Sequence, residues 1–461
     1  MIDIRNISSI HCIGIGGSGM CGLAMNLAAM GKKVSGSDAS ENGNTAVLRN
    51  AGLHISIGHN AAHIPRDCQL VVRSAAIRDD NCELMHAGIA HIPHVKYSQC
   101  LGMLMALKDG IAVAGTHGKT TTSSMVAYTL YKANLDPSFI IGGSVPLFDN
   151  KGYRVGAGKY FVAEACEYDR SFHNLAMKYA IINNIEEDHL DYYRDIDEIV
   201  ESFAAFARHI PPDGILCYSK HSTNTARFLQ TVDAKKVSYA IDDDADFSAY
   251  DLQFHVDGSS FSVKHSRGKC NYRLFVPGKH NVINALAAIS LCGTLGVPDS
   301  VIADALKNCT TPKRRMEILC NSGGVIIMDD YAHHPTEIVA VLKSLREAKQ
   351  RARIIAVFQP HQHSRTRFLL NSFAKSFHYA DMVIVPDIYF VRDSEVERHL
   401  VHAKDLVSKI SAENRRALYI SSFDAIVDFL ASEVRAGDIV VTLGAGDINT
   451  VAYRLKDILT R

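Results

Sequence analysis

The stretch that most restricts the fold of this 461-residue chain is "GIAVAGTHGKTTTSSMVAYTLYKAN", beginning at Gly110. A short apolar run ends in glycines, and a helical pattern starts at a lysine followed by threonines. Strand, glycine turn and helix in that order open a βα unit, which implies a mostly parallel sheet with helices on its faces. Gly115 and Gly118 let backbone N–H groups turn toward phosphate oxygens, and the helix N-terminus adds the positive end of its dipole. Lys119 is placed to neutralise the β- and γ-phosphates of a nucleoside triphosphate, and the Thr120 hydroxyl to ligate Mg²⁺. The usual spacing needs a glycine where Val113 stands, so this is a shortened loop, Gly-x-x-Gly-Lys-Thr-Thr.

A second glycine turn lies a hundred residues earlier, in "HCIGIGGSG". Gly14-x-Gly16-x-x-Gly19 follows a strand-like run and precedes a helical one. Alone, that spacing suits a dinucleotide, and Asp38 at the end of "KVSGSD" falls where a dehydrogenase contacts ribose. Two such loops in one chain leave two readings: a dehydrogenase with an appended domain, or one enzyme that holds two phosphate-bearing ligands.

Carboxylates gather behind the second loop. "FVAEACEYD" supplies Glu164 and Glu167, and "IINNIEEDHLDYY" supplies Glu186, Glu187, Asp188, His189 and Asp191. Both clusters directly end apolar strands, and strand C-termini line the crevice where α/β sheets bind ligands. They are the candidate metal ligands.

The chain divides into three α/β blocks, 1–106, 107–313 and 314–461. Within the second, "DLQFHVDGSSFSVKH" alternates apolar and polar residues around Asp257-Gly258, which predicts a hairpin in a small antiparallel appendage. In the third, "GVIIMDD" reads as a strand and "PTEIVAVLKSLREAKQ" as a helix with Pro335 in its first turn, where a missing N–H costs little. Lys plus Arg and Asp plus Glu number 49 each, a balance that gives no support for a nucleic-acid or membrane-surface partner. The eleven cysteines include no Cys-x-x-Cys pair and read as reduced thiols of a cytosolic protein. No run approaches ~18 apolar residues and the N-terminus reads as a strand, so a cytoplasmic location without a membrane span is expected.

In order, "GTHGKTT", "EACEYD…NIEEDHLD", "GKHNVINALAA", "KRRMEI", "DDYAHHPTEI" and "FQPHQHSRT" resemble the Mur ligases over essentially the whole chain. "HCIGIGGSGMCGLA", "YAHHPTEI" and the late "GAGDI" resemble the branch acting on UDP-N-acetylmuramate and L-alanine. The resemblance implies three domains: a Rossmann-like N-terminal domain for the UDP substrate, a P-loop central domain for ATP and magnesium, and a Rossmann-like C-terminal domain that binds the amino acid and closes the site.

Carried over by motif, Gly14, Gly16, Gly17, Ser18 and Gly19 would meet the UDP pyrophosphate, with Asp38 and Ser74 as further contacts to that nucleotide. Gly115, Thr116, His117, Gly118, Lys119, Thr120 and Thr121 would wrap the ATP phosphates. Asn284, ahead of Asn281, would contact adenine, while Arg315 and Asp330 would face the nucleotide. Thr120, Glu164 and His189 match the magnesium positions, with two ions expected and Mn²⁺ able to substitute. Glu167 and His189 are also expected to serve the chemistry. His333, His334, His361 and Arg365 match the segments nearest the amino acid, and His361 is the expected base for its ammonium. The expected assembly is a monomer or weak homodimer.

Some positions depart from the family pattern. Cys166 and Tyr168 stand where many alanine ligases have Asp and Ser, and Gln362 stands where an arginine is usual. The lost cation shifts carboxylate anchoring toward Arg365 or Arg367. The stretch after His189 offers no lysine, so no carbamylated lysine is expected. Plainer readings stay open: His333-His334 as a turn that opens a helix, and Asp38 as a strand-end turn.

Overall fold

The computed structural model describes residues 2–189, 192–255, 258–309, 312–391, 393–413 and 415–460. Asp191 and Asp257 lie outside the described residues. Contacts divide the chain into two units, one formed by Met1–Glu186, Ile196–Ser248 and Ala285–Ala305, the other by Glu187–Asp195, Ala249–Asn284 and Leu306–Arg461.

The first unit opens with β1 (Ser9–Ile13), β2 (Lys33–Asp38), β3 (His54–Ile57), β4 (Leu70–Arg73) and β5 (His94–Lys96). They pair in parallel in the order β3-β2-β1-β4-β5. The chain turns from one side of β1 to the other at the β1/β4 junction, which opens a crevice at the strand C-termini. Under this sheet, buried Glu83 accepts hydrogen bonds from Ser37 (2.9 Å) and the Asn60 N–H (3.2 Å) and meets His11 at 2.7 Å. Burial alone would raise its pKa, but the bonds with His11, Ser37 and His59 hold it below the usual carboxylate value.

The same unit continues through β6 (Asp109–Ala114), β7 (Ser138–Val145), β8 (Lys151–Arg154), β9 (Tyr160–Glu164), β10 (Tyr179–Ile182), β11 (Ile215–Ser219) and β12 (Lys235–Ile241). Their order is β12-β11-β10-β6-β9-β7-β8, parallel except for β8. The strand carrying the lysine loop is therefore central, flanked by β10 and β9. Those are the two strands whose ends carry the acidic clusters.

In the second unit β13 (Phe247–His255) lies beside β14 (Gly258–His265), which pairs antiparallel with β15 (Gly268–Leu274). The second half of the alternating stretch, "GSSFSVKH", is β14 and is thus antiparallel strand, paired with β15. The last sheet comprises β16 (Glu317–Ser322), β17 (Val325–Asp330), β18 (Ile354–Phe358), β19 (Met382–Val385), β20 (Arg416–Tyr419) and β21 (Ile439–Leu443). Its order is β16-β17-β21-β18-β19-β20, with only β16 antiparallel.

Continuous apolar runs make sense on this sheet because both faces are covered. Ile326, Met328, Ala356, Phe358 and Val441 join a core on one face, under helices Pro335–Ala348 and Ala403–Ala412. Their alternates Ile327, Ile355, Val357 and Val440 join the other, under helices Phe423–Glu433 and Asn449–Leu459. Among the described residues no helix is long and apolar enough to cross a membrane.

Some glycines are required by packing. A β-carbon on Gly102 would lie 1.9 Å from the carbonyl oxygen of Asn174. Gly102→Ala is expected to lower stability by about 1–3 kcal/mol, the usual cost of overpacking against backbone. Thermal unfolding compared with the parent protein checks this; an unchanged midpoint would show that the contact yields.

Candidate functional site

The lysine loop is built by glycine conformations that other residues adopt at a cost. Gly115 has φ 136° and Gly118 φ 81°. A β-carbon on Gly115 would meet Asn183 Cβ at 3.0 Å and the Asn183 and Asn184 backbone nitrogens at 3.1 and 3.2 Å. Helix Lys119–Lys132 then starts on Gly118, which offers no capping side chain. Its first N–H groups therefore suit an anionic ligand.

The asparagines after β10 clamp this loop. The Asn183 amide donates to the His117 carbonyl (3.2 Å) and the Thr122 hydroxyl (3.1 Å). Asn184 accepts from the His117 N–H through Oδ1 (2.8 Å) and from the Thr116 N–H through its carbonyl (3.0 Å). The Thr116 hydroxyl accepts from the Glu186 N–H at 2.9 Å, and the His117 ring lies 3.3 Å from the Glu186 carboxylate. Sequence reasoning took this stretch only as a source of carboxylates and missed the asparagines. The one signal that could have found them is two adjacent amides directly ending an apolar strand.

Lys119 folds back over its own loop. Its ammonium donates to the carbonyls of Gly115 (2.7 Å) and Thr116 (3.0 Å) and to Glu167 (3.0 Å). Burial alone would lower its pKa, but Glu167, with Cys166 and Glu164, outweighs this and holds it above the ordinary lysine value. Glu164 accepts from the Thr120 hydroxyl (3.1 and 3.0 Å) and from the Gly142 N–H (2.9 Å). A hydroxyl and a carboxylate in contact beside an anion cradle form a hard-oxygen donor set that fits Mg²⁺. Thr121 is buried in the first helical turn.

The first glycine loop has the same design. Gly14, at φ 76°, packs so closely that a β-carbon would lie 2.9 Å from Ser74 Cβ. Asp38 accepts from the Gly16 N–H at 2.8 Å, and Asn44 donates to the Gly16 carbonyl at 2.8 Å. Asp38 and Ser74 thus shape the loop itself. Helix Ser18–Ala29 starts on Gly17, which supplies no side-chain cap.

In the second unit Asp188 and His189 lie on one segment, and His189 adopts φ 54°. Its N–H donates to Asp188 at 2.7 Å, and Arg365 reaches Asp188 at 3.4 Å. Burial alone would raise the Asp188 pKa, but His189, Arg365, His333 and His334 hold it well below the carboxylate range. Glu187, Asp188, His189, Gln362, Ser364 and Arg365 line a cavity of about 20 Å³. Gln362, buried and at φ 71°, is part of the wall of this cavity. Arg367 is committed elsewhere, to Glu397 at 2.9 Å.

His333 and His334 open helix Pro335–Ala348. Their N–H groups donate to Glu337 at 3.0 and 3.3 Å, and His334 Nδ1 accepts from the Thr336 N–H at 3.4 Å. The plainer reading, a turn that opens a helix, describes their geometry. Burial lowers the His333 pKa to about 4, against the opposing pull of Glu337. Asp330 accepts from the N–H groups of Met316 and Ala332, both at 2.7 Å, and burial pushes its pKa up to about 6. Arg315 lies 5.1 Å from the Tyr331 ring and 4.0 Å from Glu337. Buried Asn281 donates to the Pro277 carbonyl at 2.9 Å, and Asn284 is buried one turn further along helix Lys279–Thr294. His361 stacks on Tyr389 with ring centres 5.3 Å apart. Among the described residues neither His361 nor His363 belongs to a cluster of three metal-ligating side chains.

Asn183→Ala is expected to weaken ATP binding about tenfold or more by freeing the loop while leaving Lys119 in place. Titration with a non-hydrolysable ATP analogue checks it. His280 is also lowered to about 4 by burial. Both histidines bind fewer protons when folded than unfolded between pH ~4 and ~6.5, so their contribution makes stability rise with pH across that window. Replacing both by Gln should flatten the rise, read from denaturant unfolding at pH 4.5, 5.5 and 6.5.

The sequence matches three families in series: "Mur ligase family, catalytic domain" over residues 9–109, "Mur ligase middle domain" over 113–292 and "Mur ligase, glutamate ligase domain" over 314–446. It is 40% identical over 460 residues to the UDP-N-acetylmuramate–L-alanine ligase of Caldanaerobacter subterraneus subsp. tengcongensis, covering 99% of each chain. Among solved structures it is similar to the UDP-N-acetylmuramate–alanine ligase of Thermotoga maritima, with TM-score 0.81, 27% identity and coverage of 97% of this chain and 98% of that one. It is also similar to a murein peptide ligase of Psychrobacter arcticus, with TM-score 0.72, 28% identity and 98% coverage of each.

Proposed function

The chain belongs to the Mur ligase family, and from that premise we propose that it joins L-alanine to the carboxylate of UDP-N-acetylmuramate, driven by ATP, in peptidoglycan precursor synthesis. The observation that carries the reading is the loop of Gly115–Thr121 with Lys119 on Glu167 and Thr120 on Glu164. The full-length similarity to an L-alanine ligase supports the choice of substrates. The domains proposed are 1–106, 107–313 and 314–461, with a cytoplasmic setting and a monomer or weak homodimer.

The chemistry is amide formation in two displacements. An oxygen of the lactyl carboxylate attacks the γ-phosphorus of ATP, the bond from that phosphorus to the β,γ-bridging oxygen breaks, and ADP leaves an acyl phosphate. The amine of L-alanine, having lost a proton, then adds to the acyl carbon, and the tetrahedral intermediate expels phosphate. The first displacement asks for positioning and charge neutralisation rather than for a protein nucleophile. Lys119 answers the phosphate charge, and the N–H groups of the loop and helix start orient the oxygens. Thr120 and Glu164, with His189 as the proposed third ligand, would hold Mg²⁺, which offsets the repulsion between carboxylate and phosphate. Arg365 is proposed to take the alanine carboxylate and His361 the ammonium proton. The neutral imidazole of His333 beside them adds no charge at pH 7.

Phosphate release with UDP-N-acetylmuramate and a panel of amino acids tests the reading. Release dependent on L-alanine is expected; dependence on a tripeptide instead would make the chain a murein peptide ligase. Binding of NADH without UDP-sugar binding would return it to the dehydrogenase class, and slow ATP hydrolysis indifferent to alanine would make it a nucleotide switch. Lys119→Ala should cut ligation on the order of 10²–10³-fold or more while leaving UDP-substrate binding within about twofold. An equal loss of both would mean that the two glycine loops do not hold separate ligands.

A further inference from the structure

Between the two glycine loops stands a tyrosine that neither loop motif includes. Tyr97 begins helix Tyr97–Met105 directly after β5, at the C-terminal edge of the first sheet. A β-carbon on Gly19 would lie 2.8 Å from both Cζ and the hydroxyl oxygen of Tyr97, so the ring rests on the end of the first loop. Its helix packs on the segment Tyr168–Asn174 that follows Glu164 and Glu167; burial raises the phenol pKa, and Glu164 and Cys166 raise it further. The hydroxyl is therefore a neutral donor at pH 7. It makes no hydrogen bond to any described residue, and the side chain is half-buried rather than sealed.

Its neighbours carry charge and strain. Lys96 reaches Asp169 at 2.5 Å. Asp169 and Arg170 are consecutive residues with left-handed backbone, at φ 53° and 51°. Such conformations cost of order 1 kcal/mol or more each and cluster where a ligand is gripped. Gly14–Gly19, Lys96–Tyr97, Glu164–Arg170 and Lys119 all belong to the first unit. A ligand with its pyrophosphate on the first loop and its reacting carboxylate near Lys119 has to pass along this line.

Resting on the reading above, we propose that Tyr97 is a specificity-determining residue that donates its hydroxyl hydrogen bond to the carboxylate-bearing side arm of the substrate sugar. The phenol supplies the donor, and Gly19 leaves the ring room to lie against the first glycine loop. No covalent step is involved. Tyr97 positions the nucleophile that Lys119 and the phosphate loop then use.

The test is calorimetric titration of the full-length protein and Tyr97→Phe with UDP, UDP-N-acetylglucosamine and UDP-N-acetylmuramate. The three probes differ by the sugar and then by the side arm. The parent protein is expected to prefer UDP-N-acetylmuramate. Tyr97→Phe should bind it about five- to tenfold more weakly, with UDP and UDP-N-acetylglucosamine affinities and the melting temperature unchanged. Full retention of the preference, or an equal loss for all three probes, would overturn the proposal and leave the ligase reading standing. No preference in the parent protein would instead overturn the substrate reading on which the proposal rests.

Discussion

The site depends on the Lys119 ammonium, buried against a carboxylate and two carbonyls of its own loop. A buried ammonium without partners would shed its proton or unfold the loop. Glu167 prevents both, and the loop carbonyls hold the side chain over the loop. The protein therefore presents a cation that is already desolvated and oriented. On the proposed reading an incoming triphosphate would replace two neutral carbonyls with charged oxygens, an exchange that favours the ligand because charge-assisted bonds are the stronger.

That arrangement needs a loop that cannot relax. Gly115 is pressed against Asn183 and Asn184, and the two amides clamp the His117 peptide from below. The Tyr239 hydroxyl, deep in the core, reaches Asn183 at 3.3 Å and backs the clamp. The first loop is held by a different device, the Asp38 carboxylate on the Gly16 N–H. Both leave helix starts uncapped, so each cradle keeps donors for an anion while its own strained backbone is braced elsewhere.

In the second unit the cations are restrained by anions. Arg365 meets Asp188, and Glu337 gathers the N–H groups of His333 and His334. An anionic ligand at Arg365 would have to share or displace Asp188. Gln362, an uncharged residue, is part of the wall of the small cavity beside it. Of the two arginines, Arg365 faces this cavity, while the Arg367 guanidinium is held by Glu397.

Local patterns of the chain carried most of the architecture. "KVSGSD" is β2 residue for residue, "GVIIMDD" contains β17, and Pro335 opens its helix as its fixed φ requires. The lysine loop was legible because its glycines, lysine and threonine are contiguous. What was not legible is what comes from distant strands. The clamp of Asn183 and Asn184 and the contact of Tyr97 with Gly19 bring together residues more than sixty positions apart, and Asp38 and Asp330 reach the N–H groups of Gly16 and Met316 across neighbouring strands. The physical reason is range. Turn and helix signals act over a few residues and are written in them, whereas partners across a sheet are chosen by register and burial, which only the folded chain specifies. The sequence by itself determined the two glycine turns and the α/β blocks around them; the tertiary structure decided which neighbours hold them and what lies between.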